Sequence, residues 1–305
     1  MNWEILIKGF AAYLMLERSL SANSIEAYIR DVGKFEDYYH LRGFGLKPKE
    51  IELHHVQGFI HWINELGLEA TSQARIISGL KAFFKYLLIE DIIDEDPSEL
   101  LEGPKLDRKI PSVLTYEEIS ALMGALQFER NDMLRIRNLA ILETLYACGL
   151  RVSELVNLKL SNLFLDVGFI KIIGKGDKER LVPIGQSARE AIKDYLYQPN
   201  GRWTVKAQVG HEDFLFLNRR GKQLTRVMIF TIIKRLAGMA GIKKKVSPHT
   251  FRHSFATHLI EGGADLKAIQ DMLGHESITT TEIYTHLDTD FLRDTILNFH
   301  PSNKK

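Results

Sequence analysis

Cysteine is nearly absent from this chain of 305 residues, since Cys148 is its only one. A single thiol cannot form an internal disulfide, and no cysteine and histidine cluster has the spacing of a zinc site. Long apolar runs are also missing, because no window approaches the roughly 18 consecutive apolar residues typical of a membrane span. The N-terminal sequence shows no basic segment, apolar core and cleavage site of a secretory signal. These absences favour a cytoplasmic protein that does not associate with membranes.

Net charge is small as well, at +1, but it is unevenly distributed. Residues 1–105 carry 11 Lys and Arg against 17 Asp and Glu, whereas the remaining residues carry 29 against 22. The acidic surplus of the first third is concentrated in residues 89–102. The basic surplus of the rest is compatible with a polyanionic partner, although such a surplus is weak support on its own.

Residues 1–104 show the period of amphipathic helices and no competing strand pattern. Capping signals and glycines divide them into four predicted helices: one ending near Arg18, one from an N-cap at Asn23 or Ser24 to Gly43, one over residues 54–66, and one over residues 71–91. The apolar stripe of the fourth helix is expected to extend to Leu88. We therefore predict a small, all-helical first domain.

Polar and basic side chains lie on the other faces of the second and fourth helices, namely Tyr28, Arg30, Arg75, Ser78 and Lys81. One interpretation is an ordinary solvated surface. The other is a set of contacts to the phosphates of a DNA duplex, which position the nucleic acid without reading its sequence. The spacing alone leaves both open. Proline and glycine then mark the end of this domain, and residues 105–112 are predicted to form an exposed linker.

Residues 113–305 mix helices with strands. Thr115 and Glu118 have the spacing of a capping box, and a strongly apolar helix is predicted over residues 135–147. Two β-rich runs within residues 168–184 flank a Gly-Lys-Gly-Asp turn and predict a hairpin, to which residues 214–217 are expected to add a third strand. Residues 226–241 and 259–273 are predicted to be helical. The resulting fold class is mainly α with a small antiparallel β-sheet, in two domains.

The stretch from Ser247 to Tyr284 concentrates side chains that act on phosphate. His249 and Arg252 follow Pro248, which suits the first turn of a helix, and positions three apart share a helix face. A guanidinium binds phosphate oxygens in a bidentate manner and stays charged at any working pH. Tyr284 offers a phenol, a nucleophile capable of forming a covalent intermediate.

Two more cations lie upstream at exposed junctions. Arg151 follows the glycine that ends the long apolar helix, with Ser153 as the expected N-cap of the next helix. Lys175 lies in the turn of the predicted hairpin. At the other end of the chain, residues 290–298 are predicted to form an amphipathic helix with Phe291, Leu292, Ile296 and Leu297 exposed to a partner surface. Such a helix docks either on its own domain or on a neighbour's.

Together these features resemble the tyrosine recombinase (phage integrase) family, and most closely its Xer subgroup. The resemblance rests on motifs in fixed order: ACGLRVSEL, IGKGDKERLVP, SPHTFRHSFATHL, MLGH and TTTEIYTH. The first domain, through NSIEAYIRD and ARIISGLKAFFKYL, is also similar to the core-binding domain of that family. The resemblance implies a core-binding DNA clamp over 1–104 and a catalytic domain with a C-terminal docking helix over 113–305.

The resemblance also implies a catalytic set and a role for each member. Tyr284 would attack a DNA phosphodiester to leave a 3′-phosphotyrosyl bond and a free 5′-hydroxyl. Arg151 and Arg252 would neutralise the non-bridging oxygens, with a hydrogen bond from His275. Lys175 would act as general acid for the departing oxygen. Lys171, Lys178 and Arg180 lie close in the sequence and are alternatives for this role, but the family pattern favours Lys175. His249 would assist proton transfer or orient the phosphate. No metal, ATP or other cofactor is implied.

Several functions share this chemistry. The first expectation is a recombinase that resolves chromosome dimers at cell division, as a homo- or hetero-tetramer with a sister recombinase on a double-stranded recombination site, with a cell-division DNA translocase as a further partner. A mobile-element integrase and a phase-variation invertase are alternatives within the family. A type IB topoisomerase-like enzyme uses the same chemistry, and a DNA-binding protein with an unused catalytic set belongs to another class. The target sequence and the order of strand exchange are not readable from the chain.

Overall fold

A computed structural model of the chain describes residues 2–45, 47–105, 112–274 and 286–303, with the side chains of residues 175, 286–290 and 303 outside the description. The chain divides into two compact units, Met1–Lys109 and Ile110–Lys305. The described parts are mostly helical with one small antiparallel sheet, which confirms the predicted fold class. In the described residues, no helix is both long and apolar enough to cross a bilayer.

The described part of the first unit contains four α-helices. They are α1 (Trp3–Leu16), α2 (Ala22–Leu41), α3 (Leu53–Glu65) and α4 (Ala70–Ile89). The N-cap of α2 is Ser21, not Asn23 or Ser24, because Ser21 is the residue with extended backbone directly before the first helical turn. Gly43 follows the end of α2 with a positive φ of 68°. Such a conformation is most accessible to glycine.

Aromatic side chains dominate the core of this unit. Phe35 lies at its centre, with edge-to-face contacts to Trp3, Phe59 and Phe84. The apolar stripe of α4 ends at Leu87, which is fully buried, whereas Leu88 is 39% exposed, so the predicted extension to Leu88 is wrong. Leu88 lies a further 100° around the helix, which turns it away from the core.

The described part of the second unit contains eight α-helices and three strands. The helices are α5 (Tyr116–Gly124), α6 (Asp132–Cys148), α7 (Val152–Val156), α8 (Gln186–Tyr197), α9 (Arg226–Met239), α10 (Pro248–Gly262), α11 (Leu266–Leu273) and α12 (His286–Phe299); the strands are β1 (Leu163–Phe164), β2 (Phe169–Ile173) and β3 (Glu179–Pro183). The capping box at the start of α5 is present, with the side chains of Thr115 and Glu118 each accepting from the other's backbone N–H.

The sheet is an antiparallel meander in the order β1-β2-β3. The hairpin of β2 and β3 confirms the predicted pair of strands, and Ile172 lies opposite Arg180 in its register. The third strand, however, is β1 and not residues 214–217. Phe214 and Leu217 make only isolated bridges, to Lys159 and Gln223 respectively.

The core of the second unit forms around α6, which is buried on nearly all sides. A separate apolar cluster joins α10, α11 and α12. In α12, Leu292 is 4% exposed and Ile296 is 1% exposed, so the prediction that both are exposed is wrong. Of the two predicted docking surfaces, these side chains pack on that of the helix's own unit, whereas Phe291 and Leu297 are exposed as predicted.

Candidate active site

The site is built at the junction between α6 and α7. Gly149 ends α6 in the left-handed conformation, with φ of 58°. A Cβ at this position would lie 2.4 Å from a ring carbon of Phe255, so the junction requires glycine for space as well as for conformation. Arg151 is the N-cap of α7, which corrects the predicted cap at Ser153. Its backbone N–H donates to a carboxylate oxygen of Glu154 at 2.8 Å.

Glu154 is the centre of the site, since its carboxylate is buried among arginines. Arg151 Nη1 donates to Glu154 Oε1 at 2.9 Å. Arg180, from β3, donates through Nη1 and Nη2 to the two oxygens of Glu154, each at 2.9 Å. This parallel pair of bonds is the bidentate geometry in which guanidinium and carboxylate interact most strongly.

Arg252 enters from α10, whose first turn is capped by Ser247 and begins with Pro248. Its Nη1 donates to the carbonyl of Gly149 at 2.7 Å and its Nη2 to the carbonyl of Leu273 at 2.7 Å. The same Nη1 lies 3.9 Å from Glu154 Oε2. Two carbonyls and one carboxylate therefore hold this guanidinium from three directions.

The C-terminal end of α11 closes the site. Three successive carbonyls, of Met272, Leu273 and Gly274, accept hydrogen bonds from Arg180, Arg252 and Arg151 respectively. These are carbonyls that a helix leaves unpaired at its C-terminus, where the helix dipole also favours cations. The end of α11 thus collects three guanidinium groups immediately before residue 275.

The cluster is electropositive, because three guanidinium groups surround one carboxylate. Burial would raise the pKa of Glu154, but the hydrogen bonds and charge of Arg180, followed by the hydrogen bonds of Arg151, outweigh it and lower that pKa. Burial first, and then the charge of Arg151, lower the pKa of Arg252 to about 10, which still leaves it protonated at neutral pH. A net excess of two positive charges suits the site to an anion with several oxygens, such as a phosphodiester.

The structure describes the side chains of only three of the six predicted catalytic residues, namely Arg151, Arg252 and His249. Arg151 and Arg252 meet in the cluster, with side chains 36% and 10% exposed. His249 lies three residues before Arg252 on α10 and is exposed. Lys175 lies in the short turn Lys175–Asp177 between β2 and β3, but its side chain is outside the description. His275 and Tyr284 lie outside the described residues. So does Ser277, which the sequence predicts as the N-cap of a short helix carrying Tyr284.

The structure argues against two of the residues that were alternatives to Lys175 as the general acid, Arg180 and Lys171. Arg180 has its guanidinium engaged by Glu154 and Met272 and its side chain is 7% exposed. Lys171 forms an ion pair with Glu179 at 3.3 Å, on the face of the hairpin opposite to that of Arg180. Arg180 was predicted only as an alternative to Lys175, and Glu154 was not predicted as a site residue. The available signal was the position of Glu154 three residues after Arg151.

The candidate DNA contacts of the first unit already have partners within it. Arg75 donates to the fully buried carboxylate of Asp31 and keeps its side chain 44% exposed. Ser78 donates to the carbonyl of Ala74, and Lys81 donates to the carbonyl of Glu99 at 3.2 Å. Both remaining candidates lie on α2, where Arg30 pairs with Glu26 in an exposed ion pair and Tyr28 is half-buried against the core. Both interpretations of this surface therefore stay open.

Comparison with known proteins identifies the family. Residues 112–290 match the phage integrase family, and residues 7–91 match the phage integrase N-terminal SAM-like domain. The tyrosine recombinase XerD of Chlorobaculum tepidum is 45% identical over 300 residues, which cover 98% of this chain and 97% of that protein. The tyrosine recombinase XerD of Listeria monocytogenes is 42% identical, over 97% of this chain and 98% of that protein.

Solved structures agree in fold. The XerH site-specific recombinase bound to palindromic difH substrate, in a post-cleavage complex, superimposes with a TM-score of 0.70 at 25% identity, covering 92% of this chain and 81% of that one. The family match spans more than half of the chain, and the two relatives align over nearly all of it. This chain belongs to the phage integrase family of tyrosine recombinases, the site-specific recombinases that cut and rejoin DNA.

Proposed function

We propose that this recombinase cuts DNA with Tyr284 while Arg151 and Arg252 hold the scissile phosphate. The observation that carries the proposal is the cluster around Glu154, in which both arginines are fixed by hydrogen bonds and the net charge is positive. Each guanidinium has five N–H groups and uses two of them on described residues, so three remain for phosphate oxygens. Donors fixed in advance toward the place where charge develops are the most effective way to stabilise such a transition state.

The proposed reaction is a transesterification. The Tyr284 oxygen bonds to phosphorus as its proton passes to a base, the role proposed for His249, while the bond to the 5′-oxygen breaks. Lys175 gives a proton to that leaving oxygen, and His275 adds a hydrogen bond to the non-bridging oxygens. A 5′-hydroxyl from the partner strand then attacks the phosphotyrosine and releases Tyr284. One phosphoester replaces another at each step, so no net bond energy is consumed.

The two units have different proposed tasks. Residues 1–104 form a core-binding clamp joined by the linker 105–112 to a catalytic domain over 113–305. In the clamp, Arg75 is the candidate best placed for a phosphate contact. It is held by Asp31 yet remains about half exposed, so its guanidinium keeps donors toward solvent. Tyr28, Arg30, Ser78 and Lys81 are proposed as weaker contacts on the same unit.

The biological role proposed is resolution of chromosome dimers in the cytoplasm at cell division. The support is the near-complete alignment with proteins named XerD, which favours this role over that of a mobile-element integrase, an invertase or a type IB topoisomerase-like enzyme. The XerH site-specific recombinase in its solved complex is bound to its palindromic difH substrate. By analogy we propose that this chain binds a double-stranded site as a homo- or hetero-tetramer with a sister recombinase, activated by a DNA translocase.

The first test is to trap the covalent intermediate. The Tyr284→Phe variant, which cannot form an adduct, is used to enrich its binding site from a library of genomic fragments. Nicked duplexes carrying that site are then incubated with the wild-type chain and separated on a denaturing gel. We expect a slower protein–DNA band with the wild type and none with Tyr284→Phe.

A matched control is Tyr197→Phe, which removes the hydroxyl of an exposed tyrosine and should leave the adduct unchanged. Binding without an adduct in the wild type would refute unassisted cleavage and favour a DNA-binding role. An adduct that persists in Tyr284→Phe would refute the assignment of the nucleophile.

A further inference from the structure

Arg180 uses its guanidinium entirely inside the protein. Nη1 and Nη2 donate to the two oxygens of Glu154, and Nε donates to the carbonyl of Met272 at 2.9 Å. Its side chain is 7% exposed. Unlike Arg151 and Arg252, Arg180 donates within the protein from all three of its guanidinium nitrogens, so we assign it no direct contact with the phosphate. Its effect on the reaction must pass through the groups that it touches.

The first of those groups is the carboxylate of Glu154, which the other two arginines also approach. Its Oε1 accepts from Arg151 Nη1, and its Oε2 lies 3.9 Å from Arg252 Nη1. A buried carboxylate attracts any cation within reach, and more strongly where its other partners are missing. Without Arg180, the nearest charged replacements for the two lost bonds are the guanidinium groups of Arg151 and Arg252. N–H groups of both arginines would then donate to Glu154 and would no longer be available to bind the substrate.

The second group is the end of α11. Gly274 has a φ of 63°, and a Cβ placed there would lie 3.2 Å from Cδ of Arg180. The last residue of the described helix end therefore rests directly on the Arg180 side chain. The carbonyl of Gly274 also accepts from Arg151 Nη2 at 3.2 Å. Arg180 thus supports the backbone that holds Arg151.

We propose that Arg180 is a positioning residue for DNA cleavage, which saturates the Glu154 carboxylate and supports the end of α11 so that Arg151 and Arg252 stay available to the phosphate. This inference rests on the proposed function, because it presumes that these two arginines bind the scissile phosphate. It assigns to β3 a part in the reaction separate from that of the Lys175 turn.

The test compares Arg180→Met, Glu154→Gln and the double variant in single-turnover adduct formation on the nicked duplex described above. With Arg180→Met we expect adduct formation to slow by about 10- to 100-fold, by analogy with the effect of removing groups that orient the ligands of metal sites. Binding of intact duplex, measured by electrophoretic mobility with Tyr284→Phe in each background, should change by less than about threefold, because phosphate contacts elsewhere supply most of the affinity.

Glutamine carries no charge to draw Arg151 and Arg252 inward, so the double variant should be faster than Arg180→Met alone. Removing the unpaired carboxylate would also relieve a purely structural defect, so thermal unfolding of every variant is measured and the rates are compared at a temperature at which all of them are folded. A rate difference among fully folded variants then reports positioning and not stability. Lys171→Met, on the opposite face of the same hairpin, removes an exposed ion pair and is the matched control, with wild-type rates expected.

Arg180→Lys covers the case in which Arg180→Met does not fold, which circular dichroism would reveal. It keeps the charge but loses the planar fork, so its rate should lie between those of the wild type and of Arg180→Met. A wild-type rate in folded Arg180→Met, or in Arg180→Lys if the methionine variant is unfolded, overturns the inference, as does a double variant no faster than Arg180→Met. Failure of the wild type itself to form an adduct refutes instead the proposed function.

Discussion

His300 provides a test of the packing behind the site. The residue follows α12 and is 1% exposed. Its Nε2–H donates to the carbonyl of Tyr146 at 3.3 Å, and its Nδ1 accepts from the backbone N–H of Ser302 at 3.4 Å. The rings of Tyr146 and Phe255 lie 4.5 Å and 5.7 Å from it. One nitrogen donates and the other accepts, so this environment fits the neutral ring and has no acceptor for a second proton.

The energetic consequence follows from the pKa. Burial lowers the pKa of His300 from 6.5 to about 4, against the opposing effect of the hydrogen bond to Tyr146. Between these two values the unfolded chain binds a proton and the folded chain does not. The free energy of unfolding therefore falls as the pH decreases through this window, by about 1.4 kcal/mol per pH unit. Between pH 7.5 and pH 5 the loss due to His300 is about 2 kcal/mol.

The assay compares the wild type with His300→Gln, which retains a donor for the Tyr146 carbonyl. Urea unfolding is followed at pH 7.5 and pH 5 by amide exchange of peptides from α6, and peptides from α4 serve as an internal control in the other unit. We expect the wild type to lose about 2 kcal/mol more than the variant on acidification. His40→Gln, an exposed histidine in the first unit, should not alter the α6 result.

Glu143 makes the comparison with a variant necessary. Burial raises the pKa of Glu143 from 4.5 to about 7, so the folded chain keeps a proton that the unfolded chain loses in that window. Its contribution to stability therefore increases as the pH decreases and masks that of His300 in the wild type alone. The difference between wild type and variant cancels it. Parallel losses in the two proteins, within about 0.5 kcal/mol, would refute the argument that His300 is held neutral.

Three further predictions concern the contributions of single residues to stability. Gly149→Ala should destabilise the second unit by about 2–5 kcal/mol, because it combines the strain of a left-handed backbone with overpacking against Phe255. An unchanged midpoint of thermal unfolding would contradict this. Asp31→Asn should alter the stability of the first unit by less than about 1 kcal/mol at pH 7. Burial raises the pKa of Asp31 despite the nearby Arg75, so the charge of Asp31 adds little to the free energy of unfolding. A larger loss of stability in urea unfolding would contradict this. Leu292→Ala should cost about 2–5 kcal/mol, whereas Leu297→Ala, at an exposed position of the same helix, should cost about 0.5 kcal/mol or less; equal losses would show that α12 is not docked as described.

Local features of the fold were predictable from the sequence. The capping box of Thr115 and Glu118 and the hairpin of β2 and β3 each depend on residues a few positions apart. The N-cap of α7 was mispredicted because serine is the commoner cap by side-chain chemistry. Arg151 occupies that position, where its backbone N–H donates to Glu154 and its guanidinium donates to the carbonyl of Gly274. Tertiary contacts here override local preference.

Long-range pairing was less predictable. Residues 214–217 have the composition of a strand, but only isolated bridges form there. The true third strand, β1, is two residues long and gives almost no signal in a pattern of alternating residues. In α12, amphipathicity correctly indicated an apolar face, yet periodicity does not tell which surface covers it. Leu292 and Ile296 are covered by α10 and α11 of the same unit.

The arginine cluster shows why motifs alone do not specify a site. Arg151, Arg180 and Arg252 come from a helix N-cap, a strand and a helix interior that are far apart in the sequence. What brings them together is the carboxylate of Glu154 and the last carbonyls of α11, and backbone carbonyls carry no signature in the sequence. The three carbonyls that follow one another at the end of α11 each accept from a different guanidinium group of the cluster. A displacement of that helix end would therefore shift all three arginines together, although no two of them are neighbours in the sequence.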